Sequence, residues 1–453
     1  MSERASVAVV GSGPGGAVAA CVLAEAGRDV ILVEEGPGLG QQSCRPFSIE
    51  EMTQKYRHGG VTAALGPCPV AYVEGCAVGG GSEVNSALYH RAPAARLEEW
   101  ARRFAVEGLG EKDLAPHFEA LEAELSVLRD STEVHPAGRK LAAGAASLGL
   151  ECRQAPRMAR PGPGPLHRLA MSDTYIPRAL KAGCRLLDQT RVERLQRRGR
   201  GWVLKARTLG PLFEIEADQV FLACGAIQTP ALLRRSGLAP RAGATLAIHP
   251  MAKLVAQFPE EVNGPDLGVA AQQVKPPHGR WSFGCSISSP QNLALNLLDY
   301  PEPLSRLARD WRRMASFYVM VPGSGRGEVG LLPGCPDPLV RYALSPEELR
   351  GLDDGLQELA RLLQAAGAER VFAAPAAGPD ARLTTLHLMA SCPMGEHGGL
   401  CAADSFGRVR GSEGLRLADA SLFCGPLGVN PQGTVMALSR RNALAFLKGG
   451  PEE

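Results

Sequence analysis

Apolar residues open the chain in a short unbroken run, Ser6 to Val10, and then re-space around glycines through a helix-length segment to about Ala26. They return as a second run ending at Glu34. Both runs are rich in valine and isoleucine, which suits strands, and Gly27 is a stop signal for the helix between them. The pattern predicts a βαβ unit. A second strand, small-residue turn and helix is expected over residues 220 to 239, VFLACGAIQTPALLRRSGLA, as if a later part of the chain returned to the same sheet. Near the end, LADASLFCGPLGVNPQGTVMALSRRNALAFL predicts a strand ending at Asp419, a glycine-broken loop, and a helix from near Pro431 to residue 447. Proline suits the first helical turn, where its missing N–H had no partner anyway. The free N–H groups of such a turn favour an anion, or a group that becomes negative during a reaction.

Between these segments the period changes. KLVAQF, WSFGCSIS and SFYVMVPG, within residues 240 to 385, alternate as antiparallel strands that roof a pocket. LSPEELRGLDDGLQELARLLQAAGAERV predicts a scaffold helix with a Ser345/Glu348 capping box, Pro346 in its first turn and Gly367 as its stop. Residues 94 to about 135 are charged and helical, and are expected to cover one side of the pocket. In PEPLSRLARDWRRM, Leu304, Leu307, Trp311 and Met314 recur at helical spacing among Arg306, Arg309, Arg312 and Arg313. This reads as an ordinary surface helix in preference to one lying on a membrane. The Pro/Gly-rich RPGPGPLH near residue 160 predicts a loop.

Length and charge narrow the class. At 453 residues the chain exceeds the size of one core, so two domains are expected. Lys+Arg 49 against Asp+Glu 47 leaves no footprint for nucleic acid, and points to a small-molecule partner. No apolar stretch reaches the roughly 18 residues of a membrane span, and no signal-peptide core precedes the first strand, so a soluble cytoplasmic protein is expected. The 12 cysteines form no C-x-x-C pair. They read as reduced thiols, with no metal site.

Chemistry enters with Gly11, Gly13 and Gly16, which follow the first strand at the spacing of a dinucleotide fingerprint, and with Glu34, placed for a ribose hydroxyl. This pattern does not choose between NAD and FAD. Residues 75 to 98, GCAVGGGSEVNSALYHRAPAARLE, set Gly80, Gly81 and Ser82 ahead of Asn85, which suits backbone packed on a flat ring system.

Together these stretches, in this order from residue 6 to 447, resemble the glucose-methanol-choline (GMC) family of FAD-dependent oxidoreductases. The resemblance implies an α/β chain: a Rossmann-type FAD-binding domain from residues 1–93, 170–240 and 386–453, and a second α+β substrate or cap domain on an antiparallel sheet from 94–169 and 241–385. It implies that Gly11, Gly13 and Gly16 hold the FAD pyrophosphate, Glu34 the ribose, and the Val192 backbone the adenine. Gly80, Gly81, Ser82 and Asn85 would border the flavin, Gly225 would contact the cofactor, and Asp419 with Ala420 would reach the ribityl and pyrophosphate region. Pro431 and Thr434 would aim a helix N-terminus at charge developing on the reduced ring. Some members attach FAD through a histidine where this chain has Val84, so noncovalent FAD is expected.

His387 occupies the position of the family's catalytic histidine and Asn430 that of its partner. His387 is expected to act as general base and Asn430 to orient the substrate oxygen. His249 reads as structural, and His90 lies near the flavin signature. Ala390-Ser391, where the family usually has Gly-Thr, and Cys424, where proline is common, depart from the pattern. The implied reaction is oxidation of an alcohol to an aldehyde or ketone by proton abstraction and hydride transfer to flavin N5, with oxygen, a quinone or a protein carrier as electron acceptor. The alternative is a flavin-dependent lyase or decarboxylase on the same fold.

Overall fold

The computed structural model describes residues 2–40, 43–129, 135–160, 166–208, 210–265 and 267–449. The centre of the loop expected near 160, residues 161–165, lies outside them. Two sheets organise the chain. The first has seven strands in the order Arg185–Leu187, Val30–Val33, Ser2–Val10, Leu212–Leu222, Gly201–Arg207 and Arg191–Arg198, with Leu415–Leu417 also beside Leu212–Leu222. Its strands from 2–10, 30–33, 185–187, 212–222 and 415–417 run parallel, while 201–207 and 191–198 form an antiparallel extension.

The initial βαβ unit is present, with the helix at Pro14–Glu25. Its first strand starts four residues earlier than the valine run, at Ser2, because Ser2, Glu3, Arg4 and Ala5 pair in register with Glu214 to Ala217. That partner is remote in sequence, so no local pattern marks the start. Strand 212–222 followed by the helix Gly225–Arg235 does return to the same sheet. Every residue of Val30–Val33 is buried, as a parallel strand covered on both faces requires.

The second sheet has nine strands in the order Ala63–Ala64, Val70–Tyr72, Leu383–Thr385, Met251–Gln257, Met314–Met320, Ser282–Cys285, Gln272–Val274 and Cys152–Gln154, with Arg370–Ala373 also on Met251–Gln257. All its pairings are antiparallel except that of 383–385 with 70–72. Strands 63–64 and 70–72 thus belong to this sheet, although they fall in the segment assigned by resemblance to the nucleotide-binding part.

The helix Pro346–Ala365 packs its leucines, among them Leu352, Leu359 and Leu363, under the second sheet. Its capping box forms as expected: Ser345 Oγ accepts from Glu348 N–H at 3.1 Å, and Glu348 accepts from Ser345 N–H at 2.7 Å. Gly367 follows at φ +89°, the left-handed stop that glycine allows. Residues 301–314 are not one helix. They fold as Pro301–Ser305, Leu307–Asp310 and a final tight turn before the strand at Met314. Leu304, Leu307, Trp311 and Met314 pack inward with Leu293, Leu297 and Phe372, so the apolar stripe is spent on a small local core. No helix among the described residues is long and apolar enough to cross a membrane.

Candidate active site

A cavity of about 340 Å³ lies between the C-terminal ends of the parallel strands and the inner face of the second sheet. Its floor is made by turns. Gly11 leaves the first strand at φ +99°, and a Cβ there would stand 2.3 Å from the Ala223 carbonyl oxygen, so only glycine fits. Gly13 caps the helix 14–25, and Gly13, Pro14 and Gly15 line the cavity with the helix N-terminus. Across from it, Gly80 sits at φ +55°, and a Cβ would come within 2.7 Å of Gly13 Cα. The two loops meet backbone to backbone.

Two buried acids brace these turns. Glu34 accepts from Ser12 N–H at 2.9 Å, Ser12 O–H at 2.7 Å and Gly36 N–H at 2.9 Å. Asp419 accepts from Gly225 N–H at 2.9 Å, Thr229 O–H at 2.5 Å and Ser421 N–H at 2.8 Å. Burial pushes both carboxyls above the ordinary range, and these hydrogen bonds oppose it.

The cavity wall contains Gly11, Gly13, Glu34, Gly80, Gly81, Asn85, Val192, Gly225, Asp419, Ala420, Pro431, His387 and Asn430 from the residues singled out in the sequence. Three others stand behind it. A Cβ at Gly16 would lie 1.9 Å from Gly11 O, so this glycine serves close packing of the helix on the turn and does not face the cavity. Ser82 is fully buried, donating to Gly79 O at 2.7 Å and accepting from Met171 N–H at 2.9 Å, and so fixes the loop instead of bordering the space. Thr434 is buried, and among the described residues its hydroxyl has no partner. Pro431 proves to be the cap of the helix Gln432–Leu447, one position before its first turn, while Asn430, Pro431 and Gln432 bring that N-terminus onto the wall.

Sequence reasoning missed several wall residues. At one end, Arg57 donates to both oxygens of Glu35, at 3.1 and 2.8 Å, and Arg191 lies 3.4 Å from the same carboxylate. Glu35 immediately follows Glu34, but nothing local announces arginines from two distant segments. The roof supplies Met251, Lys253, Cys285 and Tyr318, the cavity-facing members of alternating strands. A second cavity, of about 1010 Å³, meets the first at Ser86, Val269 and Ile287.

His387 and Asn430, 43 residues apart, come together with His387 Nε2 3.2 Å from Asn430 Nδ2. Behind them, His387 Nδ1 lies 3.0 Å from His249 Nδ1, and His249 Nε2 accepts from Gly428 N–H at 2.9 Å. A backbone N–H can only donate. His249 therefore carries its hydrogen on Nδ1 and gives it to His387 Nδ1, which leaves the neutral His387 ring with its hydrogen on Nε2. Asn430 turns its amide oxygen to Gln273 Nε2, which donates to it at 3.4 Å, and its Nδ2 toward the ring. Burial, with His90 nearby, pushes His387 down to about 4, and His249 lies well below the ordinary imidazole value for the same reason. His249, read from sequence as merely structural, is a direct partner of the candidate catalytic ring.

Comparison with known proteins decides the family. Residues 52–251 and 324–439 match the two family models described as GMC oxidoreductase, and residues 9–60 match an NAD(P)-binding Rossmann-like domain. A GMC-type oxidoreductase of Sinorhizobium fredii, itself uncharacterised, is 35% identical over 99% of this chain and 96% of its own length. The chain belongs to the GMC oxidoreductase family. Among solved structures, a pyridoxine 4-oxidase from Mesorbium loti superposes with a TM-score of 0.78 at 18% identity, covering 98% of this chain and 99% of that one. A formate oxidase variant from Aspergillus oryzae gives 0.78 at 15% identity, covering 99% of both chains. These two share the fold. A long-chain-alcohol oxidase of Arabidopsis thaliana is 26% identical over 96% of this chain and 66% of its own length.

The GMC protein is an oxidoreductase of the FAD type, and its residues fit that group. Glycine turns leave backbone bare where a side chain would fill the space, two helix N-termini open on one cavity, and the braced acids Glu34 and Asp419 stand beside them.

Proposed function

We propose that this protein oxidises an alcohol to an aldehyde or ketone, with noncovalently held FAD accepting the hydride. The observation that carries the reading is the meeting of His387 and Asn430 on the wall of the cavity that the glycine turns line. In support, one of its relatives is named for oxidation of long-chain alcohols.

FAD, when bound, supplies the two-electron acceptor. The chain's part is to hold the substrate oxygen and manage its proton. Placed between His387 Nε2 and the Asn430 amide, a hydroxyl first receives a hydrogen bond from the ring. For His387 to take the hydroxyl proton on Nε2, its own hydrogen has to move to Nδ1, which His249 opposes. Proton uptake thus requires the His249 contact to yield. Asn430 orients the oxygen throughout.

The test is anaerobic mixing of the purified FAD-loaded protein with a panel of primary and secondary alcohols while flavin absorbance is followed. Bleaching is expected, and admitting oxygen then separates an oxidase from a dehydrogenase. If no alcohol bleaches the flavin, alcohol oxidation is wrong and a lyase or decarboxylase on the same fold takes its place. Acid precipitation should leave the yellow cofactor in the supernatant, since Val84 cannot form a linkage.

A further inference from the structure

Lys253 stands in the middle of strand Met251–Gln257, on the face that Met251 also presents to the cavity. Among the described residues its ammonium has neither a carboxylate nor a hydrogen-bond acceptor, and burial alone pushes it down to about 8. The side chain is only partly shielded in this structure because what it faces is the cavity itself. A desolvated, unpaired ammonium is costly.

Its neighbours complete a site. Directly opposite Lys253 on the adjoining strand is Tyr318, also on the cavity wall. Opposed residues of an antiparallel pair project from the same face about 5 Å apart. The Tyr318 oxygen accepts from Gln273 Nε2 at 3.3 Å, which leaves its own O–H free to donate into the cavity. Next in the same row is Gly284, where a Cβ would stand 2.5 Å from the Tyr318 oxygen, so glycine there lets the ring lie across the sheet. Gln273 is the following member and also reaches Asn430 Oδ1, at 3.4 Å. An ammonium and a hydroxyl are thus fixed side by side on the roof, tied through one glutamine to the residue that meets His387.

We propose that Lys253 and Tyr318 bind an anionic group of the substrate, so that the alcohol oxidised here carries a carboxylate remote from its hydroxyl. This rests on the alcohol-oxidation reading. Gln273 Nε2 lies 3.3 Å from the Tyr318 oxygen and 3.4 Å from Asn430 Oδ1, so the hydroxyl that meets the anion and the amide that orients the substrate oxygen are held apart by this one glutamine nitrogen. The acid therefore sits several bonds from the reacting carbon. The glycine turns and helix N-termini that suit FAD phosphates lie across the cavity on the other sheet, and leave Lys253 for the substrate.

Two measurements on the FAD-loaded protein test this. In the first, calorimetry compares straight-chain carboxylates with their matching amides, which carry no charge. The wild type should bind the carboxylate about 10-fold or more tightly than the amide, as a charge-assisted contact provides, Lys253→Met should bind both alike, and Lys253→Arg should keep the preference. Equal binding of carboxylates by wild type and Lys253→Met overturns the site, as does a Lys253→Met protein whose only change is loss of FAD. In the second, anaerobic flavin reduction compares ω-hydroxyhexanoate with hexanol. A preference for the hydroxy acid that disappears in Lys253→Met is expected. Should the carboxylate preference hold while no alcohol reduces the flavin, the anion site stands and the alcohol reading alone fails.

Discussion

Burial without a counter-ion holds the His387 imidazole neutral, with its pKa pushed down to about 4. The ring protonates only as pH falls through that value, so flavin reduction that depends on it should fall at the acid end and show no His387 limb near neutrality. His387→Asn should retain FAD, reduce the flavin roughly 100-fold or more slowly, and lose the acid limb. Stopped-flow bleaching across pH measures all three, and a wild-type rate in the variant would remove His387 from the reaction. The tautomer gives an independent check. Long-range proton–nitrogen spectra of histidine-labelled protein should show His387 protonated on Nε2 and bare on Nδ1, as the Gly428, His249, His387 chain dictates. In His249→Phe that restraint is gone, and hydrogen on Nδ1 of His387 should become detectable.

At the level of elements, turns do the positioning and helices the bracing. Gly80→Ala would put a Cβ 2.7 Å from Gly13 Cα at a left-handed backbone position. Both loops have to move, and the expected result is a folded protein purified largely without FAD, read from its visible absorbance. Glu34→Ala removes the acceptor of three hydrogen bonds around the first turn and should weaken FAD retention by about 1 to 3 kcal/mol. Ser345→Ala, remote from the cavity, should instead lower stability by about 1 kcal/mol, measured by thermal unfolding, and leave flavin reduction unchanged. The capping box was legible because its residues are three apart. Residues 301–314 misled because helical spacing of apolar residues is equally satisfied by short turns wrapped over a local core.

Across the whole molecule, one buried histidine, His249, and four half-buried ones share one behaviour. His90, His117, His135 and His387 are all pushed down to about 4 by desolvation, and His249 well below the ordinary imidazole value. Between the ordinary imidazole value of about 6.5 and these lowered values, the unfolded chain binds protons that the folded one refuses, so stability should decline as pH falls through that window. The acids Glu34, Glu74, Glu83 and Asp419, raised by burial, work in the opposite sense. Melting temperature measured from pH 7 to pH 4 should fall, and a flat or rising profile would show that the raised acids outweigh the imidazoles. By itself the sequence determined the βαβ start, the glycine turns, the alternating strands of the roof and the capped scaffold helix, because each is specified by residues within a few positions of one another. It also marked His387 and Asn430 by resemblance to a family. Only the tertiary structure decided where Ser2–Val10 begins, that strands 63–64 and 70–72 join the second sheet, that His249 governs the hydrogen of His387, and that Lys253 and Tyr318 stand side by side on the cavity roof. Those outcomes depend on register and burial between segments tens to hundreds of residues apart, and such pairings have no signature along the chain.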